Sequence, residues 1–345
     1  MRPELFTLPF VNISVKSYGL MMVLGFVAAL FLAGRLCRKL SENPEILTNF
    51  GIIALVAGVV GARLMHVLHN WPDYRGNLKE VFAIWSGGLE FIGGVAAALV
   101  VMLIYFKWKN VPILKYLDIL APALMLGLAF GRIGCFLNGC CFGAACDLPW
   151  AIRFPAVNHI TGRGPGCEKQ NTLQYSYPYD YQLRADYQRQ PGQAALLKLP
   201  EDYYDGYIDG VGRWVGQLDY LPSEQRCFFN PMPKPAGQLS EKQLGDLENG
   251  LYPMHPVHPA QLYSVVNALW LCLFLSWLLG RRKYQGQIFA WLLILYGITR
   301  FGLEMLRTEP IEFAGLTISQ LMGGAGVLAG MVMIVFCRRR FAVKG

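Results

Sequence analysis

Set among apolar residues, the chain carries Arg63, Glu90, Arg132, Arg300, Glu304 and Arg307. A guanidinium at the centre of a bilayer costs roughly 2.5–3.5 kcal/mol on insertion scales, so each such residue marks a functional site by default. Arg300, Glu304 and Arg307 fall at i, i+4 and i+7 and share one helical face. Glu304 pairs with one arginine, which leaves that face about one positive charge in excess. Arg132 raises the excess to about two, less whatever Glu90 removes. A cationic pocket in a low dielectric calls for an anion. At this depth a phospholipid phosphate is the plainest one, and the planar fork of arginine suits it. The competing reading is a buried structural ion network, but such networks seldom gather from several separate spans at one depth.

These side chains need elements to position them. Of the 345 residues, 54% are hydrophobic and 16% charged, against about 45–50% and about 25% in ordinary soluble domains. The apolar residues fall in blocks of about 17–22, the length a helix needs to cross about 30 Å of hydrocarbon. Such blocks are predicted at about 17–34, 50–69, 89–106, 118–136, 260–279, 287–306 and 315–337. The expected fold is an all-α polytopic membrane protein of about seven transmembrane helices with a large extracytoplasmic head between helices four and five. The expected division is 1–143 for spans one to four, 144–259 for the head and 260–345 for spans five to seven. Pro122, Gly127 and Gly131 interrupt the fourth span, which neighbouring helices can tolerate. The first apolar block reads as an uncleaved span and not a leader.

The net charge of +8 does not point to nucleic acid, because the clustered basic residues flank apolar runs. Arg35, Arg38 and Lys39 follow span one, and Lys107, Lys109 and Lys115 lie between three and four. Arg281, Arg282 and Lys283 lie between five and six, and Arg338, Arg339, Arg340 and Lys344 close the chain. An odd number of crossings puts all of these on one side, which the positive-inside rule makes cytoplasmic. The N-terminus and the head are then outside. At about 1.5 Å per residue, Arg63 and Arg300 lie about 9 Å below the outer end of their spans. Arg132, Tyr18 and Glu90 are nearer that end. Asp118, at the inner end of span four among lysines, reads as an interfacial partner.

The patches Gly87-Gly88-Leu89-Glu90-Phe91-Ile92-Gly93-Gly94 and Gly131 to Gly143 admit close helix packing. They also admit a backbone that bends past a ligand. Nine cysteines without a C-x-x-C pair give neither a disulfide framework nor a zinc ribbon. Cys140-Cys141, with no histidine nearby, is poor zinc spacing, so no metal and no cofactor are expected. Inert thiols, or a disulfide from Cys140 or Cys141 to Cys146, Cys167 or Cys227 outside, fit better. His258 opens span five, where a lone histidine is often an interfacial cap.

Six motifs stand in order along the chain. They are Tyr18-Gly19-Leu20, Gly61-Ala62-Arg63-Leu64, the paired-glycine entry to span three, Gly131-Arg132-x-Gly-x-Phe-x-Asn138-Gly, His258-Pro259-x-Gln261-Leu262-Tyr263, and Tyr296-Gly-x-x-Arg300-x-x-x-Glu304-x-x-Arg307. Together they resemble the phosphatidylglycerol–prolipoprotein diacylglyceryl transferase family over all spans but not the head. The resemblance implies a bacterial inner-membrane enzyme whose partners are phosphatidylglycerol, membrane lipids and a preprolipoprotein signal peptide with its lipobox cysteine. The diacylglyceryl group passes to that cysteine's thiol. By motif position, Arg132 and Arg300 hold the phosphate while Glu304 and Arg307 orient them. Tyr18 and Asn138 bind headgroup oxygens, Arg63 supports the pocket, and Gly143, Tyr263 and Tyr296 line the substrate site.

Three positions depart from the family pattern. Ile92 stands where well-studied members have a histidine, and Cys135 and Cys140 replace an asparagine and an acidic residue. Thiol deprotonation then falls to Glu90 or His258, or needs no base where a cationic pocket lowers the thiol's pKa. A divergent paralogue that binds lipid or transfers it to another acceptor, or is inactive, is the second reading. A transporter is the third, opposed by the near absence of charge in the inner half of the spans.

Overall fold

In hydrocarbon no water is present to satisfy backbone N–H and C=O groups, so long uncharged apolar runs are committed to helix. The protein follows this rule. A computed structural model describes residues 4–8, 13–75, 81–82, 90–139, 141–144, 146–154, 157–161, 172–175, 204–208, 214–216, 230–233, 240–248, 251, 256–307 and 316–340.

Helix α1 spans Ser17–Lys39, α2 Pro44–His69, the short α3 Trp71–Tyr74, α4 Phe91–Trp108 and α5 Ile113–Leu137. Helix α6 spans Glu241–Glu248, α7 Ala260–Leu279, α8 Gln287–Glu304 and α9 Ile318–Arg340. Each predicted apolar block is helical, with bounds shifted by a few residues. Five of the helices (α1, α2, α5, α7 and α9) are long and apolar enough to cross a membrane. Large side chains on them stand exposed, Leu273 at 72% and Val332 at 69%, as lipid-facing surface requires. α4 and α8 are shorter or more polar; α8 carries Arg300 and Glu304 within it.

Strands β1 (Glu4–Leu8) and β2 (Ile13–Lys16) pair antiparallel ahead of α1. Between α5 and α6, β3 (Val157–Thr161) pairs with β4 (Thr172–Tyr175). There too β5 (Tyr204–Ile208) lies between β6 (Trp214–Gly216) and β7 (Asn230–Pro233). The segment expected to form the head therefore contains strands, although most of it lies outside the described residues. So do Gly87, Gly88, Leu89, Cys140, Cys167 and Cys227.

The chain divides into two compact units. The first comprises Met1–Gly25, Gly127–Trp270 and Leu295–Leu328. In it α1 packs on α5 through glycines: a Cβ on Gly134 would lie 3.1 Å from Tyr18 Cδ2, and one on Gly25 2.7 Å from Phe130 Cβ. α5 meets α7 through Ala129, Val265 and Ala268. Asn267 Nδ2 donates to Thr299 Oγ1 at 3.0 Å, joining α7 to α8. α8 and α9 approach until a Cβ on Gly323 would lie 3.0 Å from the Gly297 carbonyl oxygen.

The second unit comprises Phe26–Leu126, Leu271–Ile294 and Ala329–Gly345. There α2 and α4 cross backbone to backbone, with Gly58 and Gly61 facing Gly93 and Gly94. Small residues allow that approach where no hydrophobic force drives helices together. Gly93 and Gly94 are thus packing glycines. Asp118, expected as an interfacial partner, is fully buried. Its carboxylate accepts from the N–H groups of Gly286 at 2.8 Å, Ile288 at 2.9 Å and Phe289 at 3.1 Å. These are orphan donors at the start of α8, and a carboxylate there also opposes the positive end of the helix dipole. Arg282 Nη1 stands 3.5 Å from the same carboxylate.

Candidate functional site

The first unit holds most of the expected site. α5 ends where Gly139 takes a left-handed φ of +68°, the conformation that closes helices and that glycine adopts without strain. Asn138 stands at that end, its N–H donating to the Gly134 carbonyl at 2.9 Å. The chain then turns back, pinned by Phe142 stacked on the buried Phe154 at 4.9 Å.

Gly143 is wedged between two segments. Its N–H donates to the His258 carbonyl at 2.9 Å, and Ala144 N–H to the Leu306 carbonyl at 2.8 Å. A Cβ on Gly143 would lie 2.6 Å from the Leu306 oxygen and 2.7 Å from His258 Cβ. Only a glycine fits there. The contact brings the end of α5, the entry to α7 and the turn after α8 to one place. Gly143 therefore serves the backbone at this junction, whatever it does for a substrate.

At the end of α8 the expected cluster is formed, with Arg307 in the turn that follows the helix. Arg300 Nη2 pairs with Glu304 Oε2 at 2.9 Å, and Arg307 Nη1 lies 3.8 Å from the same oxygen. Glu304 is 1% exposed. Arg300 Nη2 also donates to Ser319 Oγ at 2.8 Å, a partner the sequence reading missed. Its signal is a capping box: Thr317 N–H donates to Gln320 Oε1 at 3.0 Å, and Gln320 N–H to Thr317 Oγ1 at 3.2 Å. The box starts α9 and sets Ser319 in its first turn.

Arg132, Arg307 and Tyr296 all lie within electrostatic range of Arg300. Arg132 is half-buried and makes no ion pair among the described residues. Three guanidinium groups thus gather in one neighbourhood, two of them on the Glu304 carboxylate. Like charges held together at low dielectric repel, and an anion between them relieves that cost. Tyr18 packs on Gly134, about one helical turn from Gly131.

His258 opens α7. Its Nδ1 lies 3.4 Å from Tyr263 Oη, and that oxygen accepts from Trp150 Nε1 at 2.8 Å. The Tyr263 hydroxyl is thereby committed to protein partners.

The second unit holds Arg63 and Glu90. Arg63 is 6% exposed. Its Nε donates to the Val81 carbonyl at 2.9 Å, and its guanidinium stands 5.3 Å over the Tyr74 ring. Glu90 is the residue before α4, its N–H donating to the Ala62 carbonyl at 3.1 Å. Its carboxylate meets two histidines of α2, with His69 Nδ1 at 3.1 Å and His66 Nδ1 at 3.7 Å. These histidines were missed, although His66-x-x-His69 at the end of an apolar helix was a visible signal. Ile92 is 72% exposed. Cys146 carries a free thiol.

Comparison with known proteins bears on this arrangement. Residues 3–336 match the model of the prolipoprotein diacylglyceryl transferase family. A phosphatidylglycerol–prolipoprotein diacylglyceryl transferase of Finegoldia magna is 26% identical over 323 residues, covering 93% of this chain and 91% of the relative. One from Streptococcus uberis is 25% identical, covering 95% and 92%. One from Streptococcus pyogenes serotype M5 is 26% identical, covering 96% and 94%. With nearly its whole length matched, the chain belongs to the prolipoprotein diacylglyceryl transferase family.

Proposed function

We propose that this protein transfers the diacylglyceryl group of phosphatidylglycerol to the lipobox cysteine thiol of preprolipoproteins, the first step of bacterial lipoprotein maturation. The observation that carries the proposal is the gathering of Arg132 and Arg307 within electrostatic range of Arg300, which pairs with Glu304. Names borne by the relatives point the same way.

In this reading the phosphate of the lipid occupies the cationic site, held by Arg132 and Arg300. Glu304 and Arg307 fix the Arg300 fork, and Ser319 adds a hydroxyl partner. The peptide thiolate attacks the glyceryl carbon that bears the phosphate. A C–S bond forms, the C–O bond to phosphorus breaks, and the electron pair leaves with glycerol phosphate. Charge accumulates on the departing oxygens, and guanidinium groups already in place stabilise it without reorganising. Tyr18, Asn138 and Tyr296 contact the headgroup, and Arg63 braces its own unit.

All seven apolar helices span the bacterial inner membrane in this proposal, α4 and α8 included. The N-terminus and residues 144–259 then lie outside and the C-terminus lies inside, with the site just under the outer leaflet. Purified protein incubated with phosphatidylglycerol and a lipobox peptide tests the reading. Release of glycerol phosphate with a thioether product is expected; binding of both without turnover would oppose it.

A further inference from the structure

Trp150 was not part of the site read from sequence, yet it ends a chain of three side chains that fixes one nitrogen of His258. An indole N–H only donates, so in the 2.8 Å contact between Trp150 Nε1 and Tyr263 Oη the tyrosine oxygen accepts. The tyrosine keeps one hydrogen to give. Among the described residues its acceptor is His258 Nδ1, at 3.4 Å, with the two rings tilted by 62°. The reverse arrangement, with Nδ1–H donating, would load two donors on the tyrosine oxygen and leave its own hydrogen without an acceptor among those residues. A neutral imidazole that accepts at Nδ1 carries its hydrogen at Nε2.

We propose that Trp150, acting through Tyr263, holds His258 in the Nε2–H tautomer, so that His258 gives a hydrogen bond to an anionic oxygen of the lipid and does not take the thiol proton. Trp150 is then a positioning residue. The proposal rests on the transferase reading for the identity of the oxygen, but not for the tautomer. The backbone holds the imidazole in place: His258 N–H donates to the Ala144 carbonyl at 2.9 Å, and its carbonyl accepts from Gly143 at 2.9 Å. The Gly143 wedge sets His258 Cβ beside the Leu306 carbonyl, next to the turn that carries Arg307. No protein group among the described residues meets Nε2. The donor is left for a ligand.

Histidine side chains labelled with nitrogen-15 report the tautomer directly, and the His258 signals are identified by their loss in His258→Gln. In mildly alkaline solution without substrate, a protonated Nε2 and an unprotonated Nδ1 are expected. Trp150→Phe keeps an aromatic ring but removes the N–H; it should shift His258 to a mixture of tautomers. The same variant should lower kcat/KM for phosphatidylglycerol by about 3–10-fold, the worth of one neutral hydrogen bond. An Nδ1–H tautomer in the unaltered protein overturns the proposal. So does a tautomer unmoved by Trp150→Phe, or full transfer by that variant. Because the spectrum needs no turnover, the expected tautomer in a protein that transfers nothing would instead sink the transferase reading alone.

Discussion

Arg300 meets a carboxylate, a hydroxyl and two like charges, and that combination is what a phosphate would complete. Arg300→Ala is expected to reduce transfer by about 10²–10³-fold, the usual loss when one preorganised donor to a developing oxyanion is removed. Arg300→Lys keeps the charge but loses the fork and should fall between the two. Turnover with phosphatidylglycerol and a lipobox peptide measures both. Gly143→Val should also lose activity, since its side chain would collide with the Leu306 carbonyl and His258; circular dichroism separates that from loss of fold. The Arg300–Glu304–Arg307 set was legible in the sequence because helical spacing alone puts those positions on one face. Ser319 was not, since its contact depends on how closely α8 and α9 cross at Gly297 and Gly323. Glu90 was expected to offset an arginine, but its backbone position before α4 turns it to His66 and His69 instead.

At the scale of elements, two devices join the helices. One is the buried Asp118 carboxylate, which satisfies three N–H groups at the start of α8 and pairs with Arg282. Asp118→Ala should cost about 3–5 kcal/mol, because it strands a buried guanidinium and uncaps a helix. Asp118→Asn should cost less, since one oxygen still accepts. Thermal unfolding in detergent measures the difference, and equal midpoints for Asp118→Ala and the unaltered protein would contradict the assignment. The other device is close crossing at glycine. Gly61→Val should loosen α2 from α4, since even a Cβ there would meet the Gly93 carbonyl at 2.6 Å. Helix existence was legible from block length, because hydrocarbon leaves the backbone no alternative. The role of Asp118 was not, because its partners lie some 170 residues further along the chain and only folding brings them to it.

For the molecule as a whole, the basic clusters beside α1, α4, α7 and α9 set the orientation we propose. A reporter fused after Gly345 should be active only if it reads the cytoplasm, and one placed in residues 144–259 only if it reads the outside. The converse pattern would move the site to the inner leaflet. The family was legible because six short motifs keep their order over the spans, whereas the short apolar pieces of the head suggest an irregular or partly β fold without placing its strands. Its short apolar pieces lack a regular period. The central claim is that Arg132 and Arg300 act together on one lipid phosphate. The most direct measurement is phosphatidylglycerol affinity, by native mass spectrometry, for Arg132→Gln, Arg300→Gln and the double variant. The account expects each single variant to bind about 10-fold or more weakly, and the double loss to differ from the product of the two, as coupled sites require. Unchanged affinity in the double variant would contradict it.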